Sequence, residues 1–185
     1  MKYRSAALPV WRDQKRVKAE LCQFCLRSGI LCPKCRVKIE KGKVTQLDLE
    51  VARLLVSLED EYPLLQDVYF HGALEVNNTL VILVKRGDMN KVLSYGGKII
   101  KALEGKIGKS VRVLEYNSNE RKFIEDLFAP LSVVTINKIW LPDGSVETRV
   151  ILRGKDKRKK SLNIDVAKEI AKKVRGITLR VEFAE

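Results

Sequence analysis

The chain contains a single histidine, His71, and keeps all four of its cysteines within the stretch LCQFCLRSGILCPKC at residues 21–35. From one histidine alone neither a histidine-based metal site nor acid–base chemistry can be built. Long apolar runs are missing as well: none approaches the ~20 residues of a membrane-spanning helix. There is no basic and apolar leader at the start, so a soluble, cytoplasmic protein is expected. Disulfides are rare in that compartment, and clustered thiols more often hold a metal. Acidic residues are also scarce. Twenty-three Asp and Glu face 36 Lys and Arg, a net charge of +13, which concentrates polyanions at the surface and makes nucleic acid the first partner to consider. No segment reads as a lipid anchor or as a basic helix with a broad apolar face, so a membrane partner is not expected.

Catalytic signatures are absent too. No phosphate-binding P-loop and no nucleophile with an adjacent base can be found. Glu59, Asp60 and Glu61 are consecutive at a helix end, where they point in different directions and read as solvated surface. His71 lies in a predicted strand without a ligand partner and reads as structural. Trp140, at a strand end beside a turn, reads as packing. A binding protein is expected, not an enzyme.

What the chain does have is a thiol cluster. Cys22 and Cys25 form one C-x-x-C pair, and Cys32 and Cys35 form another. Two intervening residues let a tight turn aim both sulfurs at one ion, and two such turns complete a tetrahedral four-sulfur shell. Gly29 permits the reversal between the pairs and Pro33 pre-sets the second turn. This pattern predicts one structural Zn2+ per chain, with an iron–sulfur cluster as the rival ligand of four thiolates. A four-thiolate shell is closed, so the metal is expected to support the fold and not to do chemistry.

Beyond about Gln46 the sequence repeats itself. QLDLEVARLLVSLEDEYP places Leu47, Val51, Leu54, Leu55 and Leu58 at helical spacing. DVYFHGALEV and TLVILVKRG read as strands joined at Asn77 and Asn78, residues that tolerate the left-handed backbone of a tight hairpin. A loop with SYGG, the helix KIIKALEGKIG and the strand SVRVLEY complete the copy. The second copy runs from a helix at about Asn119 to Phe128 through LSVVTINKIWL, a PDG turn, SVETRVILRG, the helix IDVAKEIAKKV and the strand ITLRVEF. Arg86 and Gly87 recur 67 positions on as Arg153 and Gly154, and the same shift carries Leu103 onto Ile170, Ile107 onto Val174 and Ser94 onto Ser161. The expected organisation is α+β: a basic arm at 1–21 that contains Trp11, a four-cysteine knuckle at 22–44, and two related modules at 45–116 and 117–185. The arm reads either as disordered until it meets a partner or as a docked tail with Trp11 in the core.

The order helix, strand, strand, helix, helix, strand, with VLSYGGKIIKALEGKIGKSVRVLEY in the first copy, resembles the type II KH module. Two such modules back to back resemble the archaeal NusA-like proteins of transcription. The resemblance covers the chain from roughly Gln46 onward. It implies that Ser94, Tyr95, Gly96 and Gly97 occupy the place of the family's glycine loop, which clamps about four nucleotides of backbone. Serine stands where the family has its first glycine, and a Ser94 hydroxyl can still donate to a phosphate oxygen. Tyr95 is a candidate for base stacking, or else a solvent-exposed loop tyrosine. The basic residues around the loop, Lys85, Arg86, Lys91, Lys98 and Lys101, complete the implied RNA site. In the second copy Ser161, Leu162, Asn163 and Ile164 contain no glycine, and the dense cations Arg153, Lys155, Lys157, Arg158, Lys159 and Lys160 suit phosphates without reading sequence. The implied function is binding of nascent single-stranded RNA in transcription elongation or termination, near RNA polymerase. The alternatives are a ribosome-associated protein docked on folded ribosomal RNA, in biogenesis, translation or hibernation, and an adaptor whose degenerate modules no longer bind RNA.

Overall fold

The computed structural model describes residues 16–155 and 163–184. Trp11, the cations Lys157, Arg158, Lys159 and Lys160, and the loop residues Ser161 and Leu162 lie outside the described residues. The chain is α+β, with two three-stranded sheets that each carry their own helices.

Helix α1 (Gln23–Ser28) stops at Gly29, whose φ of 78° is the left-handed cap that glycine reaches without strain. Helix α2 (Pro33–Glu40) starts on a proline, in the first turn, where a missing amide proton removes no helical hydrogen bond. Helix α3 (Gln46–Leu58) opens with a reciprocal capping box: the Asp48 amide donates to Thr45 Oγ1 at 3.1 Å and the Thr45 amide donates to Asp48 Oδ2 at 2.7 Å. The second oxygen of the same carboxylate accepts from the Ala73 amide at 2.6 Å, tying the helix to the sheet. Gly72 allows that approach, because a Cβ there would stand 3.2 Å from Asp48 Oδ1.

Strands β1 (Phe70–Val76) and β2 (Thr79–Val84) pair antiparallel across Asn77 and Asn78, whose φ values of 44° and 62° make the expected left-handed turn. Helices α4 (Met89–Leu93) and α5 (Lys98–Ile107) follow, and β3 (Ser110–Glu115) lies parallel to β2. The second module has α6 (Glu120–Phe128), the antiparallel pair β4 (Val133–Trp140) and β5 (Val146–Leu152), then α7 (Ile164–Arg175) and β6 (Thr178–Phe183), parallel to β5. Both sheets therefore repeat one topology, and the element order of the first module is compatible with a type II KH module. The short helix expected between β5 and α7 would fall largely outside the described residues.

Two apolar cores form, and β2 belongs to both. Leu80, Ile82 and Val84 point into the first, with Leu55 of α3 and Ile99 and Leu103 of α5. Val81, on the opposite face, joins Leu114 and Val76 in the second core against Phe123, Ile124, Leu127 and Ala171 of α6 and α7. The first sheet is thus covered on one face by its own helices and on the other by the second module. Polar contacts fix the junction: Arg112 donates to the Ala129 carbonyl at the end of α6 at 2.8 Å and Asn77 donates to Glu169 of α7 at 2.7 Å, while within the second module Arg175 of α7 donates to the Ser118 carbonyl at 2.6 Å, just before α6.

The knuckle is not a separate body. Cys25, Leu26, Cys35 and Val44 share the first core with α3, and so do Val17 and Leu21. Residues 16–21 of the arm are docked, with the Lys18 amide on the Val68 carbonyl and the Phe70 amide on the Lys18 carbonyl, at 2.8 and 2.7 Å. Trp140 departs from the packing expected of it: at 72% exposure it is uncovered, because the β4–β5 hairpin runs out past α6 and α7.

Leu114→Ala, at a fully buried position on the shared sheet, is expected to destabilise the protein by about 2–5 kcal/mol. Because both modules meet at this sheet, urea unfolding should remain one transition. A second transition appearing only in the variant would show modules that fold independently.

Candidate metal centre and nucleic-acid interface

The four cysteine sulfurs all lie within 4.8 Å of one another. Sγ of Cys22 is 3.3 Å from that of Cys25, 3.7 Å from that of Cys35 and 3.9 Å from that of Cys32. A tetrahedron of sulfurs at ~2.3 Å from an ion has edges of ~3.8 Å, so these separations are those of a four-thiolate shell. They are too long for a disulfide bond.

Backbone amides orient the sulfurs: the Cys32 amide donates to Cys25 Sγ at 3.1 Å and the Cys22 amide to Cys35 Sγ at 3.5 Å. Burial pushes the Cys25 thiol up to about 12, whereas hydrogen bonding from the Cys35 backbone brings the Cys32 thiol down to about 7. Cys35 is also pushed up by burial. A buried thiol of this kind gives up its proton when a cation supplies the compensating charge. The arrangement can bind a metal ion, and all four predicted ligands contribute.

Two arginines and one acid anchor the centre to the first module. Arg53 of α3 donates to the carbonyls of Gly29 and Cys25 at 2.8 and 3.2 Å. Glu59, just past the end of α3, is only 1% exposed; it pairs with Arg27 of α1 and accepts from the Val17 amide at 2.9 Å. This corrects the solvated reading of Glu59. A carboxylate next to Asp60 and Glu61 looks like surface until Arg27 is brought to it from 32 residues away, and an unpaired arginine in a short thiol segment is the signal that was available.

At the other expected site, Tyr95, Gly96 and Gly97 all have positive φ, at 57°, 63° and 77°. Gly97 is the N-cap of α5, with no side-chain cap and no acidic residue in the first turn; the Gly97 amide donates to the Ser94 carbonyl at 3.3 Å and the Lys98 amide to the Tyr95 carbonyl, so the loop carries a tight turn straight into the helix. Lys98 and Lys101 are exposed on that helix and make no side-chain hydrogen bond or ion pair among the described residues. Ser94 directs its hydroxyl proton to the Asn90 carbonyl at 2.6 Å, closing α4. Tyr95 is 40% exposed, with its ring edge-on to Tyr62 at 5.4 Å. Lys91 is held by Asp88 at 2.7 Å and by the Asp67 carbonyl at 3.1 Å, so it braces the loop.

Lys85 and Arg86 lie on the turn that follows β2. Glu115 of β3 accepts from the Gly87 amide at 2.8 Å and Asp88 accepts from the Tyr69 amide at 2.9 Å, so the turn is fixed from both sides. The two cations themselves are exposed and make no side-chain hydrogen bond or ion pair among the described residues. Arg153 and Lys155 occupy the equivalent exposed turn after β5. Between the modules a groove of about 890 Å³ is lined by Asn77, Lys109, Arg112, Pro130 and Asn163, the last of which caps α7.

Beside the Lys85 turn stands a group the motif reading missed. The His71 ring is 4.7 Å from that of Tyr69, tilted by 50°, and 4.5 Å from that of Tyr116, stacked at 29°. The Tyr69 hydroxyl donates to Glu20 at 2.9 Å.

No family model matches the chain. A probable transcription termination protein NusA of Methanocaldococcus jannaschii is 36% identical over 62 residues, which cover 34% of this chain and 32% of that protein. One from Methanococcus vannielii is 27% identical over 104 residues, covering 53% of this chain and 58% of that protein. The chain therefore spans about a third and somewhat over half of the lengths of these relatives. The crystal structure of APE1850 aligns with a TM-score of 0.49 and 22% identity over 76% of this chain and 100% of its own.

His71 is pushed below the usual imidazole range, first by burial and then by Lys85, against an opposing pull from Glu20. The unfolded chain therefore binds the proton more readily, and stability is expected to fall as pH drops below about 6.5 towards the lower folded value. His71→Phe should remove that part of the acid sensitivity, read as the shift in urea midpoint between pH 7.5 and pH 5. Equal shifts in the two proteins would refute the assignment.

Proposed function

We propose that this chain is an RNA-binding factor of the NusA-like transcription class, acting on single-stranded RNA and carrying no catalytic activity. The observation that carries the reading is the loop at residues 94–97: a helix start with no acidic residue in its first turn, opened by two glycines with no Cβ in the way and flanked by Lys98, Lys101, Lys85 and Arg86, exposed cations that make no side-chain hydrogen bond or ion pair among the described residues. Backbone amides at a helix start, with positive charge around them, are what a phosphodiester needs at close range. The names of the two partial relatives support a place in transcription termination; RNA polymerase as the neighbouring partner and the cytoplasm as the location are part of the proposal. No helix among the described residues is long and apolar enough to cross a membrane.

In this reading the cysteine centre holds Zn2+ as a closed structural site. Cys22, Cys25, Cys32 and Cys35 would be its ligands, and its contribution is to keep the knuckle folded against α3. Arg153 and Lys155 serve as secondary phosphate contacts in the second module.

Elemental analysis is expected to give about one zinc per chain, and a strong chelator should lower the melting temperature. Iron accompanied by acid-labile sulfide would replace zinc with a cluster. For the RNA site, Gly97→Asp and Gly97→Asn impose similar backbone strain at φ 77°, but only the first adds negative charge. Anisotropy with single-stranded RNA should find the Asp variant about tenfold weaker than the Asn variant, since a carboxylate there repels phosphate. Equal affinities would remove the loop from the interface.

A further inference from the structure

The Tyr69, His71 and Tyr116 rings are drawn together by strand pairing. The Lys85 amide donates to the Tyr69 carbonyl at 2.9 Å and the Tyr116 amide to the Val84 carbonyl at 2.8 Å, so Tyr69, Lys85 and Tyr116 extend the three strands of the first sheet side by side. A register shift in β1 between Phe70 and Gly72 turns His71 into the same group. One end of the ring series is anchored through the Tyr69 hydroxyl on Glu20, which is itself held by Lys38 of the knuckle. The other end is free: Tyr116 is 43% exposed while its inner face lies on His71.

We propose that the outer face of Tyr116 is a stacking platform for an unpaired nucleobase, with Lys85 and Arg86 taking the phosphates on either side of that base. The proposal rests on the single-strand RNA reading and adds to it a second contact, away from the glycine loop. An exposed aromatic ring already held by a second ring loses little side-chain freedom when a base is added, and every base offers a flat π-face. The adjacent unpaired cations decide between kinds of partner. An apolar protein pocket would have to strip water from two ammonium and guanidinium groups without neutralising them, whereas a nucleotide brings its own countercharge. Trp140, though more exposed, has no such setting: Lys138 beside it is paired with Glu120 at 3.1 Å, and Asp143 and Glu147 are its charged neighbours along the hairpin. The platform is also on the right path, because the Lys85 turn leads through the single short helix α4, about 7.5 Å long, to the loop at residues 94–97.

The test uses the full chain and a single-stranded oligoadenylate carrying one 2-aminopurine, whose fluorescence is quenched when the base stacks. The wild type should bind and quench. Tyr116→Ala should bind about tenfold more weakly and lose quenching, while Tyr116→Phe retains both and Lys85→Gln mainly flattens the salt dependence. Circular dichroism checks that the variants are folded. Tyr116→Ala binding and quenching like wild type, while Gly97→Asp is impaired, would overturn the platform and leave the RNA reading standing. An equal loss in the Ala and Phe variants would overturn stacking in favour of a hydroxyl contact, and a wild type that binds no RNA would overturn both readings.

Discussion

Strand β2 has no solvent face. In THR-LEU-VAL-ILE-LEU-VAL order, written TLVILV in the chain, alternate residues serve different cores: Leu80, Ile82 and Val84 meet the helices of the first module, and Val81 and Leu83 meet the second. An antiparallel sheet with one wet face would read as alternating apolar and polar; this strand is continuously apolar because both faces are covered. Everything outward of it is positioned from there. The turn after β2 carries Lys85 and Arg86, β3 beside it supplies Glu115 to hold that turn, and the helices packed on its first face place the glycine loop at the same end of the sheet.

The cysteine centre is bound into this arrangement through charge as well as apolar contact. Glu59 is buried and satisfied twice, by Arg27 from α1 and by the Val17 amide, so it ties the docked arm, the knuckle and α3 at one point. Removing either partner would leave a buried carboxylate under-solvated, which is costly even when the intact pair adds little net stability. The knuckle in turn supplies Lys38, which holds Glu20, which accepts from Tyr69. The cysteine cluster is thereby connected, contact by contact, to the ring series at the end of the first sheet.

Most of the architecture was legible in the sequence, since it follows from local rules. The 3.6 and 2 periodicities locate helices and strands, paired asparagines force the left-handed hairpin, and C-x-x-C spacing brings the sulfurs together. What was not legible depends on pairing across long separations. Tyr69, His71 and Tyr116 carry no spacing signal; they meet only because β1 and β3 flank β2 and a bulge turns His71. Glu59 looked like surface because its partner is supplied by another segment. Trp140 looked like core because a tryptophan near a strand end usually is, and only the reach of the hairpin beyond α6 and α7 leaves it bare. Ser94 shows the subtler case, in which residue chemistry permits a phosphate contact but the local helix end has already engaged the hydroxyl proton.

The central claim is that one end of the first sheet, bearing the glycine loop and the Lys85 turn, is the face that meets single-stranded RNA. Ultraviolet crosslinking of the full chain to single-stranded RNA, followed by mass spectrometry of the peptide adducts, tests it most directly. The account predicts adducts on the peptides that contain Tyr95 and Tyr116. Adducts confined to the Trp140 hairpin or to the cysteine knuckle, with none at that end of the sheet, would contradict it.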